Sequence, residues 1–175
     1  GNGALVRYDA QADGFETLVE GELRGIAWGG CVTERYVLWT ASPGEAAVYN
    51  WREDKLVKVF RPLDPETPTA LYGRSVMETP EGKVLFLMSI PHSRLIVLDL
   101  ESLEAVSHPP DVIAPGTHLY DLEFLSRDEF CVMGNGTLFF FAYPSMELRE
   151  RIEAPGGISN LRGRWLSKEG TYFAV

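Results

Sequence analysis

The hydrophobic positions of this chain fall in short runs of about four to seven residues, separated by Gly, Asn, Pro, Ser and Asp. Residues 119–152 show the pattern most plainly: Leu-Tyr-Asp-Leu-Glu-Phe, Glu-Phe-Cys-Val-Met, Thr-Leu-Phe-Phe-Phe-Ala-Tyr and Met-Glu-Leu-Arg-Glu-Arg-Ile, with Gly134-Asn135-Gly136 between the middle two. Within a run, apolar residues alternate or cluster and are rich in aromatic and β-branched types, which suits a pleated strand. They do not recur at spacings of three and four, so no long helix is expected. The separators are the residues that tight turns demand.

The unit repeats. Runs starting at Leu23, Leu71, Leu119 and Leu161 align, with spacings of 48, 48 and 42 residues. Each is read as a first strand. Second strands follow at 36–40, 84–89, 130–133 and 172–175, third strands at 46–50, 94–100 and 137–143, and outer strands at 56–60, 103–106 and 147–152. Residues 4–9 and 15–19 supply a further third and outer strand, so residues 1–20 provide the outer strands of a blade. Sixteen strands at this period predict an all-β fold: a β-propeller with about four blades' worth of four-stranded antiparallel units, in one domain over 1–175. Residues 171–175 followed by 1–6 reproduce 130–133 followed by 134–139. That phase fits a ring closed by both termini, a piece of a longer propeller, or two copies in one larger ring.

Prolines 62, 65, 68, 109, 110, 115 and 155 all fall between an outer strand and the next first strand, where a fixed φ stiffens the crossing. The longer crossings, 61–70 and 107–118, are where adaptable binding surface is expected.

Through Arg94-Leu95-Ile96-Val97-Leu98-Asp99-Leu100-Glu101-Ser102-Leu103-Glu104 and Gly134-Asn135-Gly136-Thr137-Leu138-Phe139-Phe140-Phe141, the chain resembles the WD40 and YVTN-like propeller superfamily. The Gly-His and Trp-Asp dipeptides of a WD40 repeat are absent from every unit. The resemblance implies a rigid platform for protein partners, and related propellers include lactonases and other enzymes with a site at the central channel.

Charge narrows the partners. The formal net charge is -9 and the pI about 4.8, so the phosphate backbone of a nucleic acid is repelled and no nucleic-acid partner is expected. The longest apolar runs, such as 84–88 and 138–142, are far short of the roughly 20 residues of a membrane helix, and a soluble protein without a membrane partner is expected. Cys31 and Cys131 lie two units apart and are expected to be free, which leans toward a reducing, cytoplasmic compartment. Asn135-Gly136-Thr137 is a glycosylation sequon pointing the other way.

Two sets of candidate residues emerge. The residue before each aligned leucine enters the channel mouth; these are Glu22, Ala70, His118 and Asn160. A carboxylate, an imidazole and an amide near one axis are candidate ligands for a divalent cation, the one cofactor suggested, and Arg24 and Arg162 could hold an anionic group. The second set is the rim: Arg61, Asp64, Glu66, His92, His108 and Asp111. The three histidines are expected on one face. Trp28 and Trp165 occupy neighbouring positions in equivalent strands and are expected to pack blade to blade. No catalytic motif is present. The reading is therefore a non-enzymatic scaffold binding a protein or peptide at its rim, with a small-molecule hydrolase, lactonase-like enzyme or ligand binder at the channel mouth as the alternative.

Overall fold

The computed structural model describes residues 3–66 and 72–157, with the backbone of 165–166 and 172–173. Three complete four-stranded antiparallel meanders stand in sequence. The first holds β3 (Ala27–Val32), β4 (Tyr36–Ala41), β5 (Glu45–Asn50) and β6 (Lys55–Phe60). The second holds β7 (Tyr72–Glu78), β8 (Val84–Ser89), β9 (Arg94–Leu98) and β10 (Ala105–His108). The third holds β11 (Asp121–Phe124), β12 (Glu129–Gly134), β13 (Thr137–Ala142) and β14 (Leu148–Glu153). Two-stranded sheets flank them in the chain: β1 (Leu5–Asp9) with β2 (Gly14–Val19), and β15 (Trp165–Leu166) with β16 (Tyr172–Phe173). Among the described residues the only helical turn is a 3-10 turn at Pro155–Gly157.

The core lies between sheets, and this explains the continuous apolar runs. In β8, Val84, Phe86 and Met88 pack toward the first sheet, against Leu38 and Val48, with Val76 of their own sheet beside them. The alternate residues Leu85 and Leu87 pack toward the third, against Phe130, Val132 and Phe141. All five are fully buried. A strand covered on both faces reads as a nearly continuous apolar run, and the one polar residue of β8, Ser89, is hydrogen-bonded to the next unit. A third cluster, Trp39, Ala41 and Tyr49 with Val19 and Leu23, joins β1–β2 to the first sheet. Hydrogen bonds cross each junction: Trp39 Nε1 to the Gly3 carbonyl at 2.9 Å, Thr40 Oγ1 to the Gly73 carbonyl at 2.7 Å, and the Leu119 N–H to Ser89 Oγ at 3.0 Å.

Several boundaries depart from the sequence reading, the first strand at 119 beginning at Asp121 and the third strand at 94 ending at Leu98, and two more have a clear cause. The first strand of the opening unit begins at Ala27, four residues after Leu23, because Gly25 turns the chain at φ +77. A Cβ there would meet the Ser42 carbonyl. Leu23 nonetheless serves as a buried anchor at 2% exposure, as Leu119 does at 0% ahead of β11. The outer strand of the second sheet begins at Ala105 and not at Leu103. Asp99 Oδ1 accepts the N–H groups of Glu101 and Ser102, which closes a turn with Leu103 at φ 57. The aligned runs at 71 and 161 begin outside the described residues.

The innermost strands lie side by side, β3 against β7 and β7 against β11. Gly29 permits the first approach, since a Cβ on it would stand 2.7 Å from the Arg74 carbonyl oxygen. Gly29→Ala is therefore expected to cost about 1–3 kcal/mol by overpacking. Denaturant titration checks this, and a variant as stable as the parent would mean the two strands are free to part.

Candidate channel-mouth site

The adjacency of first strands brings aromatic residues from three sheets around one arginine. Arg74 leaves β7 with its guanidinium carbon 4.6 Å from the centre of the Trp28 ring, 4.4 Å from that of Tyr72 and 5.5 Å from that of Tyr120. Trp28 comes from β3, Tyr72 opens β7, and Tyr120 immediately precedes β11. Trp28 and Tyr72 meet edge to face, 5.2 Å apart at 89°. His118 lies beyond Tyr120, with ring centres 6.3 Å apart.

Two members of the cluster are held by hydrogen bonds. The Tyr120 N–H donates to the Met133 carbonyl, and Trp28 Nε1 donates to Ser42 Oγ at 2.8 Å. A guanidinium over aromatic faces gains about 0.5–2 kcal/mol per ring, depending on how far it is desolvated. The rings also fix its plane, so little rotamer freedom is left to it. Trp28 remains 41% exposed. It thus bridges two blades, as its strand position suggested, and still presents indole surface to solvent.

Beside this cluster the turn 42–45 carries a second ionic arrangement. Glu45 opens β5 with its side chain fully buried. Its Oε1 accepts from Arg24 Nε at 2.6 Å and its Oε2 from the Arg24 N–H at 2.7 Å. The other side of the Arg24 guanidinium faces water, the side chain being 70% exposed. Arg61 stands 4.0 Å from Glu45, pairs with Glu22 Oε2 at 3.1 Å and donates to the Glu22 carbonyl. Glu22 and Arg24 are thus joined through Glu45 and Arg61, and Glu22 is committed to Arg61.

The remaining candidate residues distribute along the rim. Asp64 is buried at 2% exposure, 3.3 Å from Arg94 Nε, and accepts from Ser107 Oγ and from the Glu66 N–H. His92 and Asp111, both exposed, line a cleft of about 230 Å³ with Pro109, Pro110 and Pro115. His108 ends β10, where burial lowers its pKa, and lines a different cleft, between the second and third sheets. Asn160 and Arg162 lie outside the described residues, as do Ala70 and the side chain of Trp165. Among the described residues no group of three or more His, Cys, Asp or Glu side chains is placed to hold a metal ion. Both cysteines are free. Burial pushes the Cys131 thiol up to about 12 and the Cys31 thiol likewise, so neither offers a thiolate near neutrality.

The three rings and Arg74 were not among the sequence candidates. Their signal was the Leu-Tyr pair repeated at 71–72 and 119–120, one position after the leucine whose preceding residue was followed.

No family model matches the chain, and no curated protein matches it by sequence. Among solved structures it is similar to a catalytically inactive variant of virginiamycin B lyase from Staphylococcus aureus, crystallised with quinupristin, at a TM-score of 0.79 and 10% identity. The match covers 99% of this chain and 56% of that one, so the chain spans little more than half the length of the protein it resembles. Identity this low shows the fold, which is β-propeller-like.

Proposed function

We propose that the protein binds a small planar organic anion at the mouth formed by its innermost strands. The observation that carries this reading is the convergence of Trp28, Tyr72 and Tyr120, from three successive blades, on Arg74. A stacking surface beside an oriented guanidinium suits an aromatic carboxylate, which loads both features at once. The overall charge of -9 disfavours anions at long range, but exposed charges beyond about 8–10 Å are screened at physiological salt, so the local arginine decides. The similar solved propeller was crystallised with quinupristin, which supports a ligand-binding use of the fold.

Indole-3-acetate is a suitable probe, read by tryptophan fluorescence or calorimetry. Arg74→Ala and Trp28→Leu are each expected to weaken its binding about tenfold or more. Unchanged affinity in Arg74→Ala would remove the reading. The likeness to a lyase favours a second, enzymatic reading at the same mouth, with His118 as the proton-transferring group. In that case His118→Ala abolishes turnover of a bound ligand and leaves its affinity in place.

A further inference from the structure

A second surface, formed by β9, β10 and the turns after β7, β9 and β13, uses none of the residues of the channel mouth. Between the second and third sheets runs a cleft of about 340 Å³. Its apolar floor is made by Val97, Val106, Pro144 and Met146. Val106 is 56% exposed. Glu81, Asp99 and Glu104 line the same cleft, with Lys83 as the only lysine or arginine among its lining residues. Lys83 is already 3.7 Å from Asp99, and Glu81 accepts from the Tyr143 hydroxyl at 3.3 Å. Glu104 takes part in none of the ion pairs among the described residues.

Glu81 also lines a neighbouring cleft of about 620 Å³ between the first and second sheets, together with Glu34, Glu78 and Glu101. The arginine there, Arg35, is paired with Glu53. An apolar floor under unneutralised carboxylates fits a side chain with an aliphatic stem and a cationic head. The carboxylates are spread over two clefts and no metal-holding group forms among the described residues, so the complementary charge must be spread as well.

The backbone points to the form of the occupant. β10 borders the cleft through Val106 and His108, and among the described strands its backbone pairs with β9 alone. Its outer edge is therefore a row of donors and acceptors that an extended chain can join. In a strand added there, every second side chain faces the cleft.

We infer that this groove docks an extended basic peptide segment of a protein partner, which adds as a strand along β10 and places arginines at alternate positions over the Val97 and Val106 floor.

The test uses a capped, fluorescein-labelled heptapeptide of alternating arginine and valine, titrated into the whole chain by fluorescence anisotropy at low ionic strength. Saturable binding is expected, with affinity falling about tenfold in Glu104→Lys. A peptide with proline for its central valine is expected to bind about tenfold more weakly, because proline cannot donate to the β10 edge. Glu150→Lys, an equal charge change on the exposed β14, is expected to stay within about twofold. Failure of the peptide to saturate, equal loss in Glu150→Lys and Glu104→Lys, or indifference to the proline would each overturn the inference. Binding of indole-3-acetate at the channel mouth is unaffected by any of these outcomes.

Discussion

Phe86→Ala is expected to lower the thermal midpoint by about 10 °C. Phe86 sits mid-strand in β8, fully buried, in the cluster that joins the first and second sheets. Truncating a buried phenylalanine costs about 3–5 kcal/mol, from lost transfer energy and the cavity left behind. For a chain of this size each kcal/mol moves the midpoint by about 2–4 °C. Phe15→Ala supplies the contrast: Phe15 is 80% exposed on β2, and its loss should change stability by about 0.5 kcal/mol or less. Differential scanning fluorimetry distinguishes the two. A Phe86→Ala midpoint within a degree or two of the parent would mean that the junction between these sheets does not carry the fold.

The second large effect concerns a charge beneath the rim. Asp64→Ala removes the carboxylate facing Arg94, whose side chain is only 18% exposed, and leaves Ser107 and the Glu66 N–H without that acceptor. Removing one partner of a buried pair typically costs about 3–5 kcal/mol, because the other charge is left uncompensated. The double variant Asp64→Leu with Arg94→Met is expected to recover most of that loss, since the desolvation penalty disappears with both charges. Urea titrations of the single and double variants read this out. A double variant no more stable than Asp64→Ala would show that the carboxylate's bonds to Ser107 and Glu66 matter more than its charge.

These two predictions also mark what the sequence makes legible. β8 was readable to the residue, 84–89, because a strand buried on both faces is an unbroken apolar run between breakers. The turns of β12–β13 were equally plain from Gly134-Asn135-Gly136. The outer strand at 103–106 was misplaced by two residues, because the turn closed by Asp99 depends on side-chain-to-backbone bonds that an apolar pattern does not record. Asp64 looked like an accessible rim carboxylate, since nothing local shows that Arg94, thirty residues later, covers it.

The site was harder still. Tyr72 and Tyr120 hold the same place in successive repeats, but Arg74 has no equivalent arginine in the described units at 26 and 122, and Trp28 reaches it from another blade. Their meeting depends on how far β3 slides along β7, which is set by Gly29 against the Arg74 backbone and by Thr40 bonded to the Gly73 carbonyl. Periodicity supplies the blades but not the stagger between them.

The most direct measurement is a crystal structure of the protein grown with indole-3-acetate. The account predicts the indole ring over the exposed surface of Trp28 and the carboxylate within hydrogen-bond distance of the Arg74 guanidinium, with Tyr72 and Tyr120 still flanking it. A ligand seated elsewhere at full occupancy, with the Arg74 cluster untouched, would contradict it.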